Sequence, residues 1–450
     1  MLRKILLIAF ISIFAAVFSG AETSRSHSGT STLLEQARRG DAQAQLQAGF
    51  AFFRQGNPVQ AAYWFYAAAR QNLPEAQYNM GRCCMEGYGV EKNLHRAMEY
   101  FEKAASHNIL PAQLALARLY LSGIAAEPDA VPPRPAVEAN ETKAFALLEK
   151  LVSSKVYDAN VIYAEYLIKK YRDLQKNRIV QLLRLAADQD NVQAQIILAD
   201  YLLSRTDELR DEKLARNLLQ KASRQSSEAM IKLAFVTENG FGAPPDEKLA
   251  FELYQSALKQ NFSPLGAVRL ANYYYSGRAG VAQDIPRAID LYRQAAKANV
   301  PEAIFRLGTC YSNGIGVDKD AEQAFDLFFQ AARQDYPLAQ YAVGRCFERG
   351  EGTPEDQKAA FFWYHQAAMR FESHALLEVG KRFLYGQGTN PDPLKAAAFL
   401  KQALANGMTE AESLLQQAIQ QAAATEVPEI KPLPKFSLRN VPSTVKSTGE

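Results

Sequence analysis

Along most of this chain apolar residues return three and four positions apart, in stretches that read A-x-x-x-[LMAV]-[GA]-x-x-[YF]. That spacing lays the apolar side chains on one face of a helix of about three turns. One column of the pattern holds only the smallest side chains: Gly49, Gly81, Ala117, Ala164, Ala199, Ala234, Ala271, Gly308, Gly344 and Gly380. A helical position closed to anything larger than a methyl group predicts a second helix packed hard against it. The last three glycines stand 36 residues apart, in LGTCYSNGIGV, AVGRCFERGEGT and EVGKRFLYGQGT. A period of that size marks stacked helical repeats rather than one folded core.

Each regular copy breaks at a G-x-G, at Gly87 and Gly89, Gly240 and Gly242, Gly314 and Gly316, Gly350 and Gly352, and Gly386 and Gly388. A second helical stretch follows, as in RAIDLYRQAAKAN and KAAFFWYHQAAMR, and the next copy begins near a proline at Pro74, Pro111, Pro301 and Pro337. Proline suits the first turn of a helix, so one repeat reads as helix, glycine turn, helix and proline-marked loop. Copies between about 112 and 228 keep the helical pattern and lose the G-x-G. The first of them carries AAEPDAVPPRPAVEAN, whose Pro128, Pro132, Pro133 and Pro135 favour extended chain. This insert is expected to be a surface insertion, with a ligand loop as the alternative. Beyond about Gln421 the period stops, and VPEIKPLPKFSLRNVPSTVKSTGE reads as an extended or disordered tail with apolar residues Ile430, Leu433, Phe436 and Leu438.

The order A-x-x-x-L-G-x-x-Y-x-x-G-x-G-V, then K-A-x-x-[WF]-Y-x-x-A-A, then A-Q, resembles the Sel-one-like repeat family, relatives of the tetratricopeptide repeats. The likeness covers roughly residues 41 to 418. It implies an all-α fold, a right-handed α-solenoid of about ten antiparallel helix-pair repeats with a concave face, serving as a protein-interaction scaffold. The chain then divides into 1–21, a signal peptide; 22–40, an N-terminal segment and first helix; 41–111, an N-terminal repeat block; 112–228, divergent repeats with the Pro-rich insert 125–140; 229–420, a regular C-terminal block; and 421–450, the tail.

Composition changes this picture little. With 48% hydrophobic residues the 450 positions can bury a continuous core, and a formal net charge of +3 gives no argument for nucleic acid. The N-terminus changes it more. Arg3 and Lys4 precede an apolar run from Ile5 to Phe18, and Ser19, Gly20 and Ala21 are small residues suited to cleavage after Ala21. The run is shorter than the roughly 20 residues that span a bilayer, so it reads as a secretory signal. The mature chain is expected in a periplasm or outside the cell, with no integral membrane segment left after cleavage. No cysteine near the cleavage site points to a lipoprotein anchor.

Candidate chemistry is sparse. Cys83, Cys310 and Cys346 share one repeat column and Cys84 sits in the next Tyr/Phe column. Equivalent sites on neighbouring helices stand about 8–10 Å apart, beyond the roughly 4.4–6.8 Å of a disulfide, so free buried thiols are expected. His27, His95, His107, His365 and His374 show no ligand spacing, so no metal is assigned. The G-x-G elements lack the third glycine and preceding strand of a dinucleotide fingerprint, and no cofactor is expected. Ser256 with Lys259, and Ser443 with Lys446, form S-x-x-K pairs, but the S-D-N and K-T-G of β-lactam chemistry are missing. Trp64 and Trp363 occupy a column that elsewhere holds Tyr100, Leu147, Leu253, Leu291 and Leu327, which is core behaviour.

The polar side of the first helices is the expected functional surface. Positions two before and one after the small column share a helical face. There stand Arg82, Arg118, Lys232, Arg269, Arg306, Arg345 and Lys381, the last five forming a basic ladder in the C-terminal block. The ladder is expected to bind a protein or peptide partner, an acidic one, or an anionic polysaccharide. The chain reads as an exported non-enzymatic scaffold of the bacterial envelope. The alternatives are a secreted host-interaction factor and, in a different class, a cell-wall or β-lactam-related enzyme.

Overall fold

The computed structural model describes residues 28–126 and 133–424. They fall into two compact units, Met1–Arg210 and Asp211–Glu450. The first opens with α1 (Ser28–Arg38) and continues as pairs: α2 (Ala42–Arg54) with α3 (Pro58–Ala69), α4 (Pro74–Glu86) with α5 (Leu94–Ser106), α6 (Leu110–Ser122) with α7 (Glu141–Ser153), and α8 (Tyr157–Tyr171) with α9 (Lys176–Ala187). Helix α10 (Val192–Leu203) closes it, and α11 (Glu212–Ala222) opens the second unit. There α12 (Ser227–Glu238) pairs with α13 (Glu247–Gln260), α14 (Pro264–Ser276) with α15 (Ile285–Lys297), α16 (Pro301–Asn313) with α17 (Ala321–Ala332), α18 (Pro337–Arg349) with α19 (Gln357–Ala368), and α20 (Ser373–Tyr385) with α21 (Pro393–Ala405), before α22 (Ala411–Ala424) ends the stack. The fold is all-α, with each helix packed mainly on its neighbours in sequence. The leader and residues 425–450 lie outside the described residues.

The small column is explained by what faces it. A methyl group added at Gly344 would stand 2.7 Å from the Tyr364 ring, at Gly81 2.7 Å from Phe101, at Gly308 2.9 Å from Phe328, and at Gly380 2.6 Å from Leu400. In each case the second helix of the same repeat drives a large side chain against the glycine. The aromatic side chains gain burial only because the facing backbone is bare. Helix α22 has no second helix after it among the described residues, and the same column there holds Gln416, which is exposed.

The second glycine of each G-x-G does more than turn the chain. Gly386 and Gly388 both adopt left-handed φ, 74° and 71°, and a Cβ on Gly388 would lie 1.9 Å from the carbonyl oxygen of Gln357. Gln357 begins the second helix of the preceding repeat, so the glycine is where one repeat seats on the last. Gly352 meets the carbonyl of Ala321 and Gly89 that of Pro58 in the same way, at 2.0 Å each. After the turn an Asp or Asn caps the second helix: Asn93, Asp246, Asp284, Asp320, Asp356 and Asp392 each accept from a backbone N–H in its first turn. Such caps satisfy donors the helix leaves open.

The divergent repeats replace the glycine turn in three ways. At the insert, Ile124 and Val137 exchange backbone hydrogen bonds of 2.8 and 2.9 Å that pinch the loop at its base. Beyond the pinch, the Asn140 N–H donates to the Tyr120 carbonyl at 2.7 Å, and Asn140 caps α7. The regular repeats make the same closing bond, from Asp356 to Phe347 at 2.8 Å and from Asp392 to Phe383 at 2.7 Å. The insert is thus spliced into an unchanged anchor. Between α8 and α9 a 3-10 turn, Arg172–Gln175, takes over. After α10, Asp207 accepts from Arg205 Nε at 3.1 Å and Lys176 Nζ at 3.2 Å, and these hydrogen bonds, Arg205 foremost, hold its carboxyl well below the usual range.

A fully buried arginine sits in the second unit. Arg382 occupies the column of Cys310 and Cys346, fully buried, with its guanidinium 2.5 Å from Glu348 Oε1, donating to Gln357 Oε1 at 3.0 Å and lying 4.8 Å over the Tyr364 ring. Tyr364 donates to the other oxygen of Glu348 at 2.8 Å. Glu238 makes a related set, accepting from Tyr254 at 3.1 Å and pairing with Arg278, which stacks 4.3 Å over Tyr273.

Candidate partner-binding face

In the first unit the candidate residues are Arg82 and Arg118. Arg82 is largely covered: its side chain is 13% exposed, lies 5.6 Å over the Tyr78 ring and stands 3.9 Å from Glu86. It lines a small open cleft with Phe50, Phe53, Phe65, Asn79, Cys83, Glu86 and Tyr88. Burial in this cleft raises the Glu86 carboxyl, and Arg82 opposes the shift. Arg118 is exposed; its charge works against the burial that raises the Glu165 carboxyl on α8.

In the second unit the ladder alternates with carboxylates. Arg269 on α14 lies 5.9 Å over Phe235 of α12 and 3.6 Å from Glu302 of α16. Asn272 Nδ2 donates to Glu302 at 3.4 Å, and its oxygen accepts from Tyr292 at 2.6 Å. Lys381 pairs with Glu378 one turn away at 2.9 Å. Lys232 is half-buried on α12 and has an interaction of its own. Arg306 and Arg345 are different: both are half-buried, and the Nε of each is sealed from solvent with no acceptor. Neither guanidinium makes an ion pair or a hydrogen bond among the described residues. The partner Glu302 escaped the column reading because it lies six residues before Gly308, where the neighbouring copies have Leu265, Leu338 and His374.

The other candidate chemistry is dispersed. Ser256 and Lys259 are both exposed on α13 with no hydrogen bond between them, and Ser443 and Lys446 lie outside the described residues. Among the described residues no group of three or more His, Cys, Asp or Glu could hold a metal ion. All four cysteines are buried and unbridged, and burial pushes the Cys83 thiol up to about 12 and that of Cys346 to about 11. Those thiols are apolar filling at neutral pH. Trp64 is buried, and Trp363 packs 5.5 Å from Phe329. No described helix is long and apolar enough to cross a membrane.

The Sel1 repeat family model matches nine segments: residues 42–73, 74–109, 110–153, 192–227, 227–262, 264–300, 301–336, 337–370 and 373–408. The chain belongs to the Sel1 repeat family. The α8–α9 pair lies in the unmatched stretch between the third and fourth segments, and structurally it is one more helix pair of this Sel1 array. Among solved structures, the protective antigen c5321 of uropathogenic Escherichia coli, which displays an SLR fold, is similar at 22% identity and TM-score 0.59, over 90% of this chain and 99% of its own. A Sel1 repeat protein from Oxalobacter formigenes is 23% identical with TM-score 0.48, over 54% of this chain and 96% of its own. The likeness to c5321 shows the α-solenoid fold and nothing finer. No curated protein matches the sequence. Sel1 repeats commonly mediate protein–protein interaction, and the scaffold family is generally non-enzymatic.

Proposed function

We propose that this Sel1 repeat chain is an exported, non-enzymatic adaptor of the bacterial envelope that captures an acidic protein partner on the first-helix face of its second unit. The observation that carries the reading is the pair Arg306 and Arg345, which present charge without an internal counter-ion. Every other buried or half-buried cation described on this face is engaged within the chain. Export is supported by Arg3, Lys4, the apolar run from Ile5 to Phe18 and the small residues at 19–21. Ser256 is exposed on α13 and makes no hydrogen bond among the described residues, which favours the adaptor over an enzyme of β-lactam chemistry.

The test is capture of the natural partner from the source cell by the full chain and by a variant carrying Arg269→Glu, Arg306→Glu and Arg345→Glu. The variant is expected to retain its helical melting profile and to lose capture by at least about a hundredfold, since like charges facing an acidic partner cost several kcal/mol. Unchanged capture would remove the ladder from the account.

A further inference from the structure

Helix α22, the last described, leaves open a face that α20 covers. In α20, Phe383 stands three residues after the small column, is 7% exposed and stacks 5.9 Å from Phe399 of α21, the helix that follows. Cys84 in α4 and Tyr274 in α14 hold the same place and are buried. Ile419 is their counterpart in α22, three residues after Gln416, and it is 54% exposed. Leu415, half-buried, and Ala423, exposed, lie four residues to either side and extend the strip along one face of the helix. In a repeat array each copy is covered by its neighbours, so the last one needs a cap of another kind.

The chain that leaves α22 carries residues suited to this strip. Regular copies set a large side chain 20 residues after the small column: Phe101 after Gly81, Phe328 after Gly308, Tyr364 after Gly344 and Leu400 after Gly380. Phe436 stands 20 residues after Gln416. Pro432 and Pro434, just before it, rule out a regular second helix and favour polyproline geometry. With three residues per turn, that geometry sets Ile430, Leu433 and Phe436 on one side, about 9.3 Å apart. Without a helix pressed against it, the small column can hold Gln416.

Charge and length agree. Glu410 and Glu412 are exposed at the start of α22, and its last turn has no basic residue. Residues 430–439 carry Lys431, Lys435 and Arg439 and no acidic residue. In a segment running back along the helix, Lys431 falls beside the negative end of the helix dipole and Arg439 towards the two glutamates. Residues 431–439 rise about 25 Å in polyproline form, against about 21 Å for the helix, so the ends match.

We propose that residues 430–439 fold back onto the strip formed by Leu415, Ile419 and Ala423 and close the array in place of a second helix. The proposal does not depend on the adaptor reading. It gives an occupant to a face on which that reading is silent.

The test uses the full chain, a full-length variant carrying Leu433→Ser and Phe436→Ser, and a fluorescent synthetic peptide of residues 425–450. A segment tethered this closely acts at about millimolar effective concentration, so it weakens binding of a peptide of about 0.1 mM intrinsic dissociation constant about tenfold. Fluorescence anisotropy should accordingly show the peptide binding the variant at least about tenfold more tightly than the unaltered chain. Adding Ile419→Asp to the variant should abolish binding while circular dichroism stays unchanged. Amide exchange in α22 should be at least about tenfold faster in the variant than in the unaltered chain. Equal affinity for the two chains, no binding to either, binding that survives Ile419→Asp, or equal exchange in α22 would each overturn the proposal. So would a dimer of the unaltered chain that Ile419→Asp dissolves, since the face would then belong to a second copy.

Discussion

Gly388→Ala is expected to destabilise the C-terminal repeats by more than about 3 kcal/mol, while Gly407→Ala costs only about 1 kcal/mol. Both glycines have left-handed φ, 71° and 88°, so both substitutions incur the backbone strain of an L side chain there. They differ in space. A Cβ at Gly407 meets nothing within 4 Å, whereas at Gly388 it would sit 1.9 Å from the Gln357 carbonyl oxygen and 2.6 Å from its carbon. A backbone carbonyl at the start of α19 cannot rotate aside as a flexible side chain would, so the seam between two repeats has to open. Stability in a repeat array is a sum of repeat and neighbour terms, so the loss should appear as faster amide exchange in α20, α21 and α22 before the rest of the unit. Equal losses for the two variants would show that the second glycine serves only the turn.

Arg382→Met is expected to cost about 2–3 kcal/mol, and Arg382→Met with Glu348→Gln to recover at least half of it. The arginine is 1% exposed and contributes the charge that neutralises Glu348, whose side chain is 29% exposed. Removing one partner of a buried pair leaves the other uncompensated, at about 3–5 kcal/mol in fully buried cases, and the partial exposure of Glu348 lowers that figure. Methionine fills the space over Tyr364 without a charge. Neutralising Glu348 then removes the stranded carboxylate and leaves the Tyr364 hydroxyl an amide to bond. Urea unfolding of the four proteins in this cycle measures the coupling, and additive losses would mean the two side chains are not energetically paired.

Much of the architecture could be read from residue types because repeats impose the same demand many times. The glycine and alanine column announced a close helix, and Phe101, Phe328, Tyr364 and Leu400 are what it accommodates. The Asp and Asn caps before the second helices are equally legible, as a short polar residue ahead of each apolar run. What could not be read were contacts between copies. Gly388 looked like a turn residue because the Gln357 carbonyl, 31 positions earlier, has no signature in sequence. The insert looked like a disruption, yet Ile124, Val137 and Asn140 restore the common closing bond.

The basic ladder shows the same limit at the candidate site. Column counting placed Arg269, Arg306, Arg345 and Lys381 on one face but treated them as equals. Glu302 comes from another helical position and Glu378 from the same face, two before Gly380, and they engage Arg269 and Lys381 selectively, which leaves Arg306 and Arg345 apart from the rest. Charge pairing across repeats depends on three-dimensional neighbours, so the distinction emerges only from the fold.

The central claim is that recognition belongs to the first-helix face of the second unit. Its most direct test is a photocrosslinking scan in the source cell, with a benzophenone side chain placed in turn at Asn272, Thr309 and Ala342 on first helices and at Glu252, Asp326 and Lys401, exposed on second helices. One and the same partner protein should crosslink from all three first-helix positions and from none of the second-helix positions. Crosslinks of equal yield from Glu252, Asp326 and Lys401, or from those alone, would contradict the account.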